Sequence, residues 1–268
     1  FPTPLWVPTP ENLAFKRSIA KLDEIVARFV AQWRASGEDK GDLLSMLLQA
    51  RDDDGQPMSD KQVRDEAVTL FGAGHETTSN ALTWVWYLLS QNAAAEAQLH
   101  DELARVLGGR DPRIEDLGQL PYTEMVVKEA MRLYPPAFSV VREANAEVSL
   151  GGYTLPQGSI ILGNIYGIQR DERYFPNPEQ FDPERFSAEN EKQIPKYAYL
   201  PFGGGPRVCI GNAFAMMEAR LVLATIAQKY RFALAPGHAV IPQRVFTLRA
   251  KHGVKMIAQQ REAVRELA

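Results

Sequence analysis

The sequence predicts a mainly helical α+β protein with small β-sheets, folded as one domain over residues 1–268. Amphipathic helical patterns fill the first half of the chain, and short alternating runs broken by "GGYTLPQG" follow over residues 139–162. The 268 residues are 45% hydrophobic, which is enough to bury a core. Because no flexible linker or internal repeat divides the sequence, a single domain is expected.

The first predicted helix begins close to the start of the sequence. Thr9 is a suitable N-cap, and Pro10 suits the first helical position. The apolar residues that follow recur at alternating steps of four and three: Phe15, Ile19, Leu22, Val26, Phe29 and Trp33. This spacing predicts an amphipathic helix with one apolar face.

Further helices are predicted over residues 42–50, 60–91, 93–107 and 121–134. Ser59 and Gln62 form a capping box at the start of the long helix over residues 60–91. The Gly108-Gly109 pair ends the helix after it, and the Pro135-Pro136 pair stops the last one. Each of these three helices therefore carries its own start or stop signal.

The charge pattern excludes several classes of partner. The chain carries 33 acidic and 30 basic residues, a net charge of -3, without a block of basic residues. We therefore expect no nucleic-acid partner and no binding to an anionic membrane surface. No stretch approaches the roughly 20 apolar residues of a membrane span. A single cysteine favours a reducing, cytoplasmic location.

The cysteine lies in the stretch "FGGGPRVCIGN". Cys209 directly precedes a strongly helical run, and a helix N-terminus favours a thiolate. The glycines at 203–205 permit backbone conformations closed to other residues and let a bulky planar group approach closely. Arg207 offers a positive charge to an anionic group beside the same ligand. The alternative is an inert thiol that packs as a small buried hydrophobe.

The stretch "FGGGPRVCIG" resembles the haem-ligand loop of the cytochrome P-450 family. Five residues match the family's spacing: Phe202, Gly205, Arg207, Cys209 and Gly211. The resemblance implies a cytochrome P-450 fold and haem b (iron protoporphyrin IX) as the cofactor, with Cys209 as the axial ligand of the iron. It also implies that Phe202, Arg207 and Gly211 contact the haem, Arg207 as the partner of a propionate.

Two further stretches support the same resemblance. "KEAMRLYPP" contains Glu129 and Arg132, which resemble the family's E-x-x-R motif, and "FDPERF" adds Arg185. In the family these three residues form a buried network behind the haem loop, so their implied role is structural; by spacing alone, Glu129 and Arg132 could equally form an ordinary surface ion pair. Arg142 lies where many family members place a second propionate-binding arginine.

The stretch "AGHETT" places glycine, an acid and two threonines inside the long predicted helix, where Gly costs about 1 kcal/mol relative to Ala. It resembles the family's oxygen-binding segment. The resemblance implies that Ala73 and Gly74 let the helix lie close to the haem, and that Glu76 and Thr77 are the catalytic pair that relays protons. Without the haem loop, Glu76 would be interpreted as an exposed helical charge, and His75 is not expected to be a ligand.

The resemblance also implies an activity and its partners. We expect an oxidoreductase, a monooxygenase that inserts one atom of O₂ into a small apolar organic substrate. Electrons would come from NAD(P)H through a ferredoxin or a flavoprotein reductase, and Lys192 and Lys196 are candidate contacts for that partner. The candidate substrate contacts are Phe71, Ala73, Ala137, Phe138, Val140 and Phe246.

Two other functions stay open on the sequence alone. The N-terminal portion of family members has no counterpart here and the sequence starts at Phe1, so we expect an N-terminally incomplete chain. It could then be a truncated, non-catalytic haem-binding protein that keeps Cys209. A cysteine hydrolase would need His100, His238 or His252 beside Cys209, and none of these lies in a recognisable motif.

Overall fold

The computed structural model describes residues 3–261 of the chain. The chain divides into two compact units, one ending at His75 and the other beginning at Glu76. This boundary falls inside a long helix. The expectation of one domain over residues 1–268 stays a prediction.

The first unit is helical. Helix α1 spans Pro10–Ser36, and its N-cap Thr9 accepts a hydrogen bond from the Asn12 N–H, as the sequence predicts. Helix α2 spans Leu43–Gln49 and is capped by Asp42. The Trp33 Nε1–H donates to the Ser45 hydroxyl over 2.9 Å, which ties α1 to α2.

Helix α3 spans Asp60–Gln91, the bounds that its sequence signals predict. The capping box is present: the Ser59 N–H donates to Gln62 Oε1 at 2.9 Å, and the Gln62 N–H donates to Ser59 Oγ at 3.3 Å. In the second unit, Trp84 of this helix is fully buried and Trp86 packs against the core. Trp84 is therefore a core residue, and Trp86 covers the edge of the core.

The helices that follow are α4 (Ala93–Leu107), α5 (Pro121–Leu133), α6 (Ile165–Ile168) and α7 (Asn212–Lys229). Gly108 caps α4 in the left-handed conformation, with φ of 56°, as its position in the sequence predicts. The core of the second unit consists mainly of buried apolar residues on α3, α4, α5 and α7. Within residues 3–261, no helix is long and apolar enough to cross a membrane.

The strands form four antiparallel pairs: β1 (Val140–Glu143) with β4 (Ile160–Gly163), β2 (Val148–Leu150) with β3 (Tyr153–Leu155), β5 (Tyr230–Leu234) with β8 (Met256–Gln260), and β6 (Pro242–Arg244) with β7 (Leu248–Ala250). The sequence predicts one small sheet over residues 139–162, whereas the structure has two separate pairs there. Gly151 and Gly152, both with positive φ, make a tight turn that closes β2 on β3. Strand β1 pairs with β4 instead.

Candidate active site

The cysteine loop, residues 200–211, contains a short 3₁₀ turn, Gly205–Arg207, and leads to the N-terminus of α7, whose N-cap is Gly211. The Cys209 N–H donates to the Phe202 carbonyl oxygen over 2.9 Å, which closes the loop. Gly203 and Gly205 have φ of 71° and 70°, a conformation that other residues rarely adopt. Gly203 and Gly205 are thus needed for the backbone path of the loop, whereas Gly204, with φ of -162°, has an extended conformation that any residue can adopt.

The loop presents an exposed thiol. Cys209 is a free, exposed cysteine, which argues against the alternative of a small buried hydrophobe. Its neighbour Ile210 is 93% exposed, and Phe214 in the first turn of α7 is 63% exposed. Arg207 is also exposed. One sulfur donor, apolar side chains and a cation therefore lie close together along the chain.

A buried ion pair lies on α5. Arg132 binds Glu129 through two parallel hydrogen bonds of 2.7 Å each, from Nε to Oε2 and from Nη2 to Oε1, and both side chains are fully buried. Arg185 Nε lies 3.5 Å from Glu129 Oε1. Burial raises the pKa of Glu129, while the Arg132 guanidinium acts in the opposite direction. The structure thus brings together the three residues predicted to form a network.

The same ion pair organises the segment that follows α6. Arg132 donates to three backbone carbonyl oxygens, those of Gln169 at 2.9 Å, Pro178 at 2.8 Å and Gln180 at 3.0 Å. Glu129 accepts a further bond of 3.0 Å from the Asp182 N–H. Charged hydrogen bonds of this kind are about twice as strong as neutral ones. The pair therefore fixes the path of the chain between residues 169 and 182.

Glu76 belongs to a polar cluster that includes a residue from another element. Thr247, which is 4% exposed and directly precedes β7, donates its hydroxyl hydrogen to Glu76 Oε1 over 2.6 Å. Asn80 Nδ2 donates in turn to Thr247 Oγ1 over 3.1 Å. The buried Trp84 donates its Nε1–H to the carbonyl oxygen of Leu248, the residue after Thr247. These bonds hold Thr247 against α3, so that Glu76 has a fixed partner.

Sequence reasoning identified Glu76 and missed Thr247 and Asn80. Asn80 could have been found, because it lies four residues after Glu76 and hence on the same face of α3. Thr247 is 171 residues away from Glu76 and carries no recognisable local signal. Thr77, the other predicted catalytic residue, is half-buried on α3 next to Glu76.

The sequence of this chain matches a known protein family. A family profile described as Cytochrome P-450 matches residues 1–256. The chain belongs to the cytochrome P-450 family. The fold class predicted from the sequence, mainly α with small β-sheets, is confirmed.

Individual curated proteins are similar to this chain over most of its length. Cyclooctatin synthase of Streptomyces melanosporofaciens is 44% identical over 246 residues, 91% of this chain and 54% of the relative. Cyclooctat-9-en-7-ol 5-monooxygenase of the same organism is 41% identical, over 86% of this chain and 50% of its own length. Pentalenene oxygenase of Streptomyces avermitilis is 35% identical, over 90% of this chain and 54% of its own length. The chain spans about half the length of the curated relatives it matches.

Membership of the cytochrome P-450 family implies a haem cofactor, and the loop residues fit one. The donor set is a single thiol, and within residues 3–261 no cluster of three or more His, Cys, Asp or Glu could hold a metal ion by itself. One exposed sulfur, with the apolar Ile210 and Phe214 close to it along the chain, suits a metal that brings its own planar ligand. A carbon atom added at Gly211 would lie 3.9 Å from Cys209 Sγ, so the backbone passes close to the sulfur.

The other predicted haem contacts lie on several elements. Phe202 is half-buried and packs against the core of the second unit. Arg142 is exposed on β1, and its Nη1 donates to the Val141 carbonyl oxygen over 2.8 Å. Ala73 and Gly74 are exposed on α3 within the first unit. The assignment of these residues to one haem site stays a prediction.

The predicted substrate contacts differ in exposure. In the second unit, Phe246 is 88% exposed, Ala137 is exposed, and Phe138 and Val140 are half-buried. In the first unit, Phe71 is exposed and its ring stacks on that of His75, with centroids 5.7 Å apart. An exposed phenylalanine is available to contact an apolar molecule, and these assignments too stay predictions.

The histidines give no support to a cysteine hydrolase. His238 Nε2 lies 3.1 Å from the Gly253 carbonyl oxygen. Burial, helped by Arg261 and Arg231, lowers the pKa of His100 to about 4. In the part of the chain that the structure describes, no hydrogen bond joins a histidine ring to the Cys209 thiol. Among residues 3–261, the hydrolase alternative therefore has no nucleophile–base hydrogen bond to support it.

Proposed function

We propose that this chain carries the haem-ligand portion of a monooxygenase that inserts one atom of O₂ into an apolar organic substrate. The observation that supports the proposal is the exposed Cys209 thiol just before the N-terminus of α7. It lies in a loop whose backbone path depends on the positive φ of Gly203 and Gly205. Family membership adds the chemical class, since two relatives are named as a monooxygenase and an oxygenase.

The cofactor of the proposal is haem b, which, when bound, supplies the redox chemistry that activates dioxygen. Cys209 would bind the iron through its thiolate, and Phe202 and Gly211 would contact the macrocycle. Arg207 and Arg142 are exposed guanidinium groups that would pair with the two propionates. Ala73 and Gly74 add little side-chain bulk, so α3 could lie close to the cofactor at these positions.

Proton delivery is assigned to Glu76 and Thr77. Because side chains of consecutive helical residues point in different directions, a proton would pass between the Glu76 carboxyl group and the Thr77 hydroxyl through water. The hydrogen bond from Thr247 to Glu76 Oε1 leaves Oε2 of the same carboxylate as the oxygen that can take up and release the proton. Glu76 would hold the proton, and the Thr77 hydroxyl would deliver it.

The proposed monooxygenase needs an organic substrate and an electron donor. Two relatives carry names that specify cyclooctat-9-en-7-ol and pentalenene, which supports an apolar, alkene-type substrate for this chain. The donor would be a ferredoxin or a flavoprotein reductase supplied by NAD(P)H. Lys192 and Lys196 are exposed and could contact an acidic surface of that protein.

An isotope-labelling experiment tests whether one oxygen atom of O₂ enters the product. The haem-loaded protein is incubated with NAD(P)H, a ferredoxin–reductase pair, candidate alkene-type substrates and isotopically labelled O₂. The proposal predicts a product with one labelled oxygen atom for each NAD(P)H consumed in coupled turnover. Haem binding with a thiolate spectrum but without labelled product for any bound substrate would instead support a non-catalytic haem-binding protein.

A further inference from the structure

We propose that Gln169 is a positioning residue for the cysteine loop, which it links to the Glu129–Arg132 ion pair. This inference rests on the proposed function, in that Cys209 is taken as the ligand whose position matters. Gln169 follows α6, on neither the ion-pair helix nor the loop, and its side chain is fully buried.

The side-chain amide of Gln169 makes three hydrogen bonds, two to α5 and one to the cysteine loop. Its Nε2 donates to the carbonyl oxygens of Met131 and Arg132, at 3.0 Å each. Its Oε1 accepts from the Leu200 N–H over 2.8 Å. The opposite orientation of the amide would set its oxygen against two carbonyls and its NH₂ against an N–H. The surroundings therefore allow only one orientation of this side chain.

The two carbonyl oxygens that accept from Gln169 belong to the last turn of α5, which ends at Leu133. Carbonyl oxygens in the last turn of a helix have no partner within the helix. Gln169 supplies that partner to Met131 and Arg132. Its own backbone oxygen receives a hydrogen bond of 2.9 Å from Arg132 Nη1. The residue is thus bound to the ion-pair helix from both its side chain and its backbone.

On the other side, the bond to Leu200 reaches the start of the cysteine loop. The Leu200 carbonyl oxygen accepts from the Gly203 N–H over 3.0 Å, and Phe202, two residues after Leu200, accepts from the Cys209 N–H over 2.9 Å. A continuous series of bonds therefore runs from the buried ion pair through Gln169 to the residue that closes the loop on Cys209. A shift of the Gln169 side-chain amide would therefore displace the backbone next to the Cys209 thiol.

The test compares Gln169→Leu, which removes all three amide bonds, with Leu103→Ala, a core change on α4 at a fully buried position. Both variants are measured without and with haem. The first readout is hydrogen exchange of the Leu200 and Cys209 amides in the haem-free protein. The second is the fraction of reduced, CO-treated haem that shows the thiolate band, compared at temperatures equally far below each variant's thermal midpoint.

We expect Gln169→Leu to speed exchange at both amides at least tenfold and to lower the thiolate fraction at least twofold. Leu103→Ala should lower the thermal midpoint without either local effect. Equal behaviour of the two variants would overturn the proposal, because Gln169 would then only stabilise the fold.

A second variant keeps the test decisive if Gln169→Leu does not fold. Gln169→Asn retains the amide but is one methylene too short to span Met131, Arg132 and Leu200 together, so the same local effects are expected at smaller size. Unchanged exchange at Leu200 in this variant would contradict the link. If wild-type protein with haem lacks the thiolate band, the proposed function fails, while the exchange data in haem-free protein still decide whether Gln169 anchors the loop.

Discussion

The hydroxyl of Thr247 donates a hydrogen bond to the carboxylate of Glu76, with 2.6 Å between Oγ1 and Oε1. Thr247 also accepts a bond from Asn80, so its hydroxyl is held from two sides. In the proposed relay, Glu76 needs a carboxylate oxygen that can exchange a proton. The bond from Thr247 occupies Oε1 and holds the carboxylate in place.

Replacing Thr247 should therefore uncouple electron use from product formation. In Thr247→Val the hydroxyl is lost at nearly constant volume, and Glu76 can rotate away from its working position. We expect product per NAD(P)H to fall by about 3- to 10-fold, within the range that a general acid-base contribution allows, at unchanged haem content. Thr247→Ser, which keeps the hydroxyl, should retain most of the coupling. Equal coupling in the Val and Ser variants would show that Thr247 has no part in proton delivery.

Thr77 should show a larger effect of the same kind. Thr77→Ala removes the proposed proton donor, while Cys209 and the arginines proposed to bind the haem are on other elements. NAD(P)H oxidation should continue, hydrogen peroxide should be released, and product per NAD(P)H should fall by about 10-fold or more. Thr78→Ala, next to it on α3 and also half-buried, is the matched control and should stay coupled. Peroxide release that is the same in the two variants would contradict the role of Thr77.

Breaking the α5 ion pair should abolish stable haem binding. In Glu129→Ala or Arg132→Ala the remaining charge is left buried and unpaired, at a cost of about 3–5 kcal/mol. This approaches the whole free energy of unfolding of many domains. Lys229→Ala, which removes an exposed pair with Asp111 at 3.1 Å, should cost only about 0–1 kcal/mol. Urea unfolding and haem content measure both effects, and full haem content in Glu129→Ala would show that the network is dispensable.

His100 should make the protein less stable in mild acid. Its pKa is lowered from 6.5 to about 4, first by burial and then by Arg261 and Arg231, while Asp101 acts in the opposite direction. Between these two values the unfolded chain binds a proton that the folded chain does not, so the free energy of unfolding falls as the pH drops from 6.5 towards 4.

Substitution of His100 isolates this effect from the carboxylates. We expect His100→Gln to remove about 1–2 kcal/mol of the stability loss between about pH 7.5 and pH 5, after allowance for solvent screening. Urea unfolding of wild type and variant at the two pH values measures it. Parallel pH dependence in the two proteins would contradict the assignment.

The helices could be predicted from the sequence because their ends are encoded locally. The capping box of Ser59 and Gln62 and the left-handed Gly108 set boundaries that need no distant contact, and α3 and α4 have the predicted bounds. The sheet over residues 139–162 was predicted less well. Which strands pair depends on where the chain turns, and the Gly151-Gly152 turn separates β2 and β3 from β1 and β4.

The parts of the candidate site that could not be predicted depend on contacts between distant segments. Glu129, Arg132 and Cys209 stand in motifs, so their residue types and spacing single them out in the sequence. Thr247 lies 171 residues from Glu76, and Gln169 lies 31 residues from Leu200. A threonine or a glutamine has no special spacing in one sequence, and its role becomes visible only when the fold brings its partners into hydrogen-bond distance.

The absorbance spectrum of the reduced, CO-treated protein, with and without the Cys209 thiol, tests directly whether Cys209 binds the haem iron. Wild-type protein loaded with haem should show a carbonyl band far to the red of ordinary haem carbonyls, because a thiolate donates electron density to the iron. Cys209→Ser should lose this band, since the chain holds no other cysteine. A wild-type protein without the red-shifted band, or a Cys209→Ser variant that keeps it at equal haem content, would contradict the assignment of Cys209 as the haem ligand.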